Sequence, residues 1–211
     1  MIFFPSTLTL LLIIGNIFGV AMLIPQARKL ARTNHMAGVS PRWVGLGFAI
    51  NAGWLAYGLL ADLPGLIPVS AGALVLYGWM LATLRRIPQS GIAQALTTGG
   101  TLIAALIITG VVGGVTAMGI LGLGFLYIVQ FAPAAWESSR SADLSGIAPM
   151  TWVMALTEAA IWAIYARSTG DIGLLLGGIG ASAMSIIVLA NLYRAGRSSR
   201  RQTRSLSSVV T

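Results

Sequence analysis

The chain has 211 residues, 56% of them hydrophobic and 9% charged, with a mean hydropathy of +0.86. A soluble domain carries roughly a quarter charged residues, so this composition excludes an ordinary water-soluble globule and makes lipid the expected solvent. There is no cysteine, which excludes disulfides and thiolate metal sites, and the net charge of +8 is gathered in short clusters. Such clusters suit a membrane surface better than nucleic acid.

In chain order, residues 1–27 carry no charge. They lack a positive start and a small-residue cleavage site, so they read as a retained first helix ending near Ala27. The second apolar run lies between Arg42 and Asp62, and the third spans Leu63 to Leu84. From Ile87 to Trp136 there is no charge. As one helix that stretch is ~75 Å long, too long for a single crossing. Val111-Val112-Gly113-Gly114 supplies a turn within it, so it makes helices 4 and 5, with helix 4 over Gly91 to Thr109. The sixth run is Leu144 to Ala166, and the seventh is Ile172 to Tyr193. A Ser- and Arg-rich tail follows, expected to act as a membrane-surface anchor. His35 stands in a basic polar stretch and reads as a solvated loop residue.

Pro25, Arg32, Gly38, Pro41, Trp54, Tyr57, Gly65 and Gly72 recur as Pro133, Arg140, Gly146, Pro149, Trp162, Tyr165, Gly173 and Gly180. The offset is 108 residues in every pair (133 − 25), without a gap. An internal repeat in an apolar chain points to a carrier of two like halves, with its solute between them near mid-membrane. Three helices end on the side opposite their start, so one extra crossing restores the orientation of the second copy. Helix 4 has no partner in the repeat and fills that role. The expected fold is therefore all-α and integral to the membrane. Seven transmembrane helices form two parallel three-helix bundles joined by a linker helix. Residues 1–86 make the first bundle, 87–113 the linker, 114–194 the second bundle and 195–211 a basic tail.

All but one of the 13 Lys and Arg residues fall on one side of this arrangement, the exception being Arg167. The positive-inside bias makes that side cytoplasmic, with the amino terminus outside a cell (inner) membrane and the carboxyl terminus inside. Trp43, Trp136 and Trp152 are expected at the cytoplasmic boundary.

The stretch Ile24-Pro25-Gln26, the basic turn Arg28 to Thr33, Gly38-Val39-Ser40-Pro41 and Trp54-Leu55-Ala56-Tyr57-Gly58 resembles the PQ-loop repeat. With Gly-Val-Ser and Trp-x-x-Tyr-Gly it looks most like the SWEET and SemiSWEET sugar carriers, over residues ~10–85 and ~118–193. The resemblance implies a seven-helix facilitator with alternating access. It implies hinge or gate roles for Pro25, Pro41, Pro133 and Pro149 near the cytoplasmic ends of helices 1, 2, 5 and 6. Proline removes a backbone donor and loosens a helix at a set place; Pro41 and Pro149 also suit a simple helix start. The second half reads Ala132-Pro133-Ala134, without the glutamine. The family's pocket asparagines in helices 3 and 7 are replaced by Val69 and Gly177.

Glu158 is the one ionisable residue deep in an apolar run, four residues before Trp162 and on the same helical face. Its repeat partner is Ile50, four before Trp54. The family places these tryptophans in the pocket, so Trp54, Trp162, Asn51 and Glu158 are the expected substrate-binding residues. Asn16, Gln130 and Asn191 are weaker candidates. Glu158 is also a candidate proton site, or a bonded carboxyl that holds helices together. No Ser-His-Asp set, metal cluster or phosphate loop occurs, so neither an enzyme nor a cofactor is expected.

The first functional reading is a transporter moving a small polar solute, sugar first, by facilitated diffusion. The second is a proton-coupled carrier of amino acids or organic cations. The third is a non-transporting membrane receptor or scaffold, for which the short loops leave little docking surface. Expected partners are the solute and the lipid bilayer, with a homo-oligomer left open and no nucleic acid.

Overall fold

A computed structural model describes residues 6–117, 124–170 and 172–207, and every regular element among them is helical. The helices are α1 (Thr7–Ala21), α2 (Leu23–Thr33), α3 (Pro41–Leu60), α4 (Ile67–Leu84), α5 (Ile92–Ala117), α6 (Gly124–Arg140), α7 (Pro149–Thr169) and α8 (Ile172–Ser207), with a 3₁₀ turn at Pro64–Leu66. Five segments are long and apolar enough to cross a membrane: Thr7–Thr33, Pro41–Leu60, Pro64–Leu84, Ile92–Val115 and Leu175–Arg197. α6 is short at 17 described residues. α7 is 21 residues long but carries Thr151, Thr157, Glu158, Arg167 and Thr169.

Local chemistry sets the boundaries. Pro25 has no N–H to give to Ala21, so one backbone bond is missing where α1 and α2 join at Met22, which keeps helical φ/ψ. The chain then stays helical to Thr33, past the expected end near Ala27. Leu23, Ala27 and Leu30 bury one face there while the basic residues take the other. Asn34 closes α2 in the left-handed conformation (φ 48°). The Ser40 hydroxyl caps α3 by accepting from the Trp43 N–H at 3.4 Å, with Pro41 in the first turn. Gly114 is non-helical (φ 76°, ψ 175°) inside α5, within the turn expected at 111–114. α7 starts at Pro149 rather than at Leu144. α8 does not stop at Tyr193 but continues through the arginines to Ser207, so the expected tail is helical over its described part.

α4 packs against α1, α2 and α3, and α8 packs against α6 and α7. Across the halves α1 and α2 meet α7, and α3 meets α6, while α5 lies along α3. The α3–α5 approach is close: a Cβ on Gly45 would stand 2.0 Å from the Ala95 carbonyl oxygen. Small residues are what permit such backbone contact between helices.

The core is concentrated at one end, where Leu23, Leu30, Trp43, Tyr77, Leu84, Phe131 and Trp152 are buried together. That end also holds the Lys and Arg clusters and is called the basic end below. The outer surface is apolar, with Ile17, Val75, Ile107, Val111, Val112, Ile164 and Ile179 exposed. So much outward aliphatic surface suits a lipid surround.

Candidate functional site

At the basic end the two halves interlock. Gln26 of α2 is 2% exposed. Its Nε2 donates to the Gly146 carbonyl at 3.1 Å, and its Oε1 accepts from the Ala148 N–H at 2.8 Å. The Lys29 ammonium donates to the Ile147 carbonyl at 2.7 Å. The Gly146 N–H donates to the Ala37 carbonyl at 3.0 Å. A Cβ on Gly146 would stand 2.6 Å from that carbonyl oxygen, so only glycine lets the loops meet there.

His35 and Asp143 are equivalent in the repeat (143 − 35 = 108), and they face each other at 3.5 Å. His35 Nε2 also lies 2.8 Å from Ser145 Oγ. Two equivalent positions in contact mark where the halves meet symmetrically. Hydrogen bonds from the Ser145 hydroxyl and backbone N–H hold the Asp143 carboxyl below the ordinary carboxylate range. His35 is half exposed, as a loop residue should be, yet it bridges the two halves.

Above the loops lies an aromatic layer. Trp43 packs at 5.6 Å from both Trp152 and Tyr77, and Phe131 packs at 5.9 Å from Trp152. This overturns part of the interfacial reading, because Trp43 and Trp152 are 2% and 3% exposed. Only Trp136, 62% exposed, looks outward. A cavity of about 10 Å³ remains between the loops and this layer, against Gln26, Ser40 and Ala134. Ala134 holds the repeat position of Gln26, so the shorter side chain helps to leave this gap.

The next layer is polar. Tyr77 of α4 is fully buried, and its hydroxyl accepts from Gln130 Nε2 of α6 at 2.7 Å. This bond also joins the two halves. Tyr77 fits because α3 offers Gly47 there: a Cβ on Gly47 would stand 2.1 Å from its ring. Glu158 is 4% exposed, and its Oε1 accepts from the Trp162 indole N–H at 2.8 Å. α1 turns glycines to this pair, Gly19 toward Glu158 and Gly15 toward the Trp162 ring.

Among the described residues, the expected substrate-binding residues divide between α3, with Asn51 and Trp54, and α7, with Glu158 and Trp162. Glu158 and Trp162 form a bonded pair against α1. Trp54 and Trp162 are both half-buried, and each stacks edge-on with the tyrosine three residues later. Leu123 holds the repeat position of Gly15 and lies outside the described residues, as does any contact Trp54 makes there. Asn51 donates to the Gly47 carbonyl of its own helix at 2.8 Å. Asn191 donates to the hydroxyls of Ser138 and Ser139 at 3.1 and 3.0 Å and ties α8 to α6.

The four prolines divide into two kinds. Pro41 and Pro149 begin α3 and α7. Pro133 lies inside α6, and Pro25 stands in the first turn of α2, just past its join with α1 at Met22. Tyr77 and the clamping role of Gln26 are the features that residue patterns did not expose. Tyr77 had only its place in an apolar run, and Gln26 only its place beside a proline.

Among the described residues no three His, Cys, Asp or Glu side chains gather as a metal site. Compared with known proteins, the chain matches no family model and no curated sequence.

Proposed function

We propose that the chain is a multi-pass carrier that moves a small polar solute, sugar first, across the cell membrane by alternating access. In this reading seven helices span the bilayer as two three-helix bundles around α5. The amino terminus is outside, and the basic end is cytoplasmic. The observation that carries the reading is the interlock at the basic end. Gln26, Lys29 and Gly146 join the halves through a few hydrogen bonds to loop backbone, which can be exchanged for water when the halves part. Pro25 and Pro133 stand at equivalent places just inside that interlock, where each helix lacks one backbone bond.

Mechanically, the closed basic end confines the solute to the region of Trp54, Asn51, Glu158 and Trp162. Flat indole faces suit the CH faces of a sugar and also hold cations. Rocking of the halves breaks the interlock and opens the path through the aromatic layer to the cytoplasm. The flux follows the solute gradient. The test is uptake of labelled sugars and amino acids into liposomes holding the purified full chain. Counterflow of at least one sugar supports the reading, and no exchange of any solute across the panel removes it.

Glu158 favours a second reading, a proton-coupled carrier of amino acids or organic cations. A carboxyl that is 4% exposed in an apolar bundle is a functional candidate by default. Under that reading Glu158→Gln abolishes the pH dependence of uptake while passive exchange continues. A wild-type rate that stays flat from about pH 5 to 8, a range that brackets the usual carboxyl shifts, leaves facilitated diffusion.

A further inference from the structure

One edge of α8 faces outward between Ile172 and Arg197. Ile172, Leu176, Ile179, Ala183, Ile186 and Tyr193 are exposed on it, spaced alternately four and three residues apart except at Ala190, which is half-buried. The opposite edge, with Ser185 and Val188 buried, packs on α6 and α7. From Ile172 to Tyr193 the helix rises about 32 Å, close to the roughly 30 Å of a hydrocarbon core.

Beyond Tyr193 the edge keeps its direction and changes its chemistry. The same spacing continues through Arg197, Arg200 and Arg204, and Arg194 and Arg201 lie beside it. At 3.6 residues per turn these five positions share an arc of about 120°. They extend about 15 Å past the apolar part, and no acidic residue stands among them.

Two aromatic–arginine pairs mark the depth of the change. The Arg197 guanidinium lies 5.6 Å from the Tyr193 ring on α8, and the Arg140 guanidinium lies 5.0 Å from the Trp136 ring on α6. Tyr193 and Trp136 are 66% and 62% exposed. Asn191 bonds Ser138 and Ser139, which holds the two helix ends at one level. Outward aromatic rings with arginines one turn farther on are the pattern of a membrane–water boundary.

We propose that this arginine edge of α8 binds the headgroups of anionic phospholipids in the leaflet at the basic end. The inference rests on α8 crossing a bilayer, as in the function proposed above, and not on transport. Lipid is the occupant because the edge continues the one already turned to lipid. Arg194 and Arg197 stand within about one turn of Tyr193, at headgroup depth. The remaining arginines stay within about one to two Debye lengths of an anionic surface. An acidic protein would have to reach the first arginines past those headgroups.

The test uses the purified full chain in phosphatidylcholine vesicles carrying trace spin-labelled phosphatidylglycerol or spin-labelled phosphatidylcholine. Electron spin resonance reads the fraction of each lipid immobilised at the protein surface. We expect a several-fold preference for phosphatidylglycerol, lost at about 1 M salt, where the Debye length is about 3 Å. The variant with all five arginines changed to glutamine should lose most of the preference, and the variant with five lysines should keep it. An equal preference in wild type and the glutamine variant overturns the assignment. So does equal immobilisation of both lipids by wild type, the result expected if the edge serves an acidic protein. Absence of any immobilised lipid overturns the membrane reading and the assignment with it.

Discussion

The two halves share a backbone plan but solve the same packing problem with different residues. In the first half α3 is capped by its own Ser40, and Ala134 stands opposite as the counterpart of Gln26. In the second half the position of Ser40 is taken by Ala148, which has no side-chain oxygen, and Gln26 reaches across to bind its N–H. A second exchange is similar. Gly47 makes room for Tyr77, whereas the equivalents Ala155 and Ser185 place a larger residue on α7 and a smaller one on α8. In both exchanges a change on one helix is matched by a change on the helix it meets. A third central difference is Ile50 against Glu158, where the second half alone places a carboxyl beside its tryptophan.

The packing exchange gives the largest expected effect. Tyr77 is fully buried and bonded to Gln130, so its ring cannot swing away from an added Cβ. Tyr77→Ser alone should cost about 3–5 kcal/mol, like other large truncations in a core. Gly47→Ala alone should cost about 2–3 kcal/mol through overpacking. Together the two changes copy the second half and should cost clearly less than their sum. Denaturant titration of the purified protein measures all three. Additive losses would show that Gly47 and Tyr77 are not a matched pair.

The capping exchange comes next. Gln26→Ala leaves the Gly146 carbonyl and the Ala148 N–H without their partner, which should weaken the closed basic end by about 1–3 kcal/mol. The chain has no cysteine, so Ala134→Cys beside the small cavity supplies a single reporter thiol. Gln26→Ala should raise its reactivity at least severalfold. Ser40→Ala removes a cap within one half, at about 1 kcal/mol, and should leave the thiol protected. Equal reactivity in both backgrounds would mean that the glutamine does not latch the halves.

Much of the helical plan was legible because apolar runs and turn residues act locally. Gly114 interrupts α5 within the glycine-marked turn at 111–114, and Pro41 and Pro149 open helices as their fixed φ allows. The ends of α2 and α8 were not legible, because charge marks where a hydrocarbon core stops and not where a helix stops. Leu23, Ala27 and Leu30 carry α2 onward on a buried face beneath its basic residues. Within the site, Glu158 and Trp162 could be paired from their spacing, since residues four apart share a helical face. Gln130 with Tyr77 and Gln26 with Ala148 could not. They join residues 53 and 122 positions apart, and no local pattern records such a meeting.

The carboxyl difference predicts a smaller effect. Glu158→Ile copies the first half and leaves the Trp162 N–H without its acceptor, at about 1–3 kcal/mol. Glu158→Gln keeps a carbonyl at that place and should cost less than about 1 kcal/mol. Melting of both variants in detergent, beside the uptake measurement, separates a structural carboxyl from a transport group. If the glutamine variant melts as low as the isoleucine variant, the indole bond is not what holds this carboxyl in place.

The smallest expected effect lies on the loops, where His35 meets its own repeat equivalent, Asp143. The Ser145 hydroxyl and N–H, with His35 a lesser contributor, lower the Asp143 value from that of a free carboxyl. A carboxyl whose folded value is depressed contributes stability above its unfolded value and loses it as the pH falls through the folded one. The contribution should therefore be complete at neutral pH and should disappear below about pH 4, the ordinary aspartate value. Asp143 is exposed, so water screens the interaction and the change should be small. The measurement is the melting temperature of wild type and Asp143→Asn between about pH 6 and pH 3, chosen to straddle that value. Wild type should melt slightly higher at the upper end, and the two curves should converge at the lower. Parallel curves would mean that the loops are held by Gln26, Lys29 and Gly146 alone, leaving the contact on the symmetry position without energetic weight.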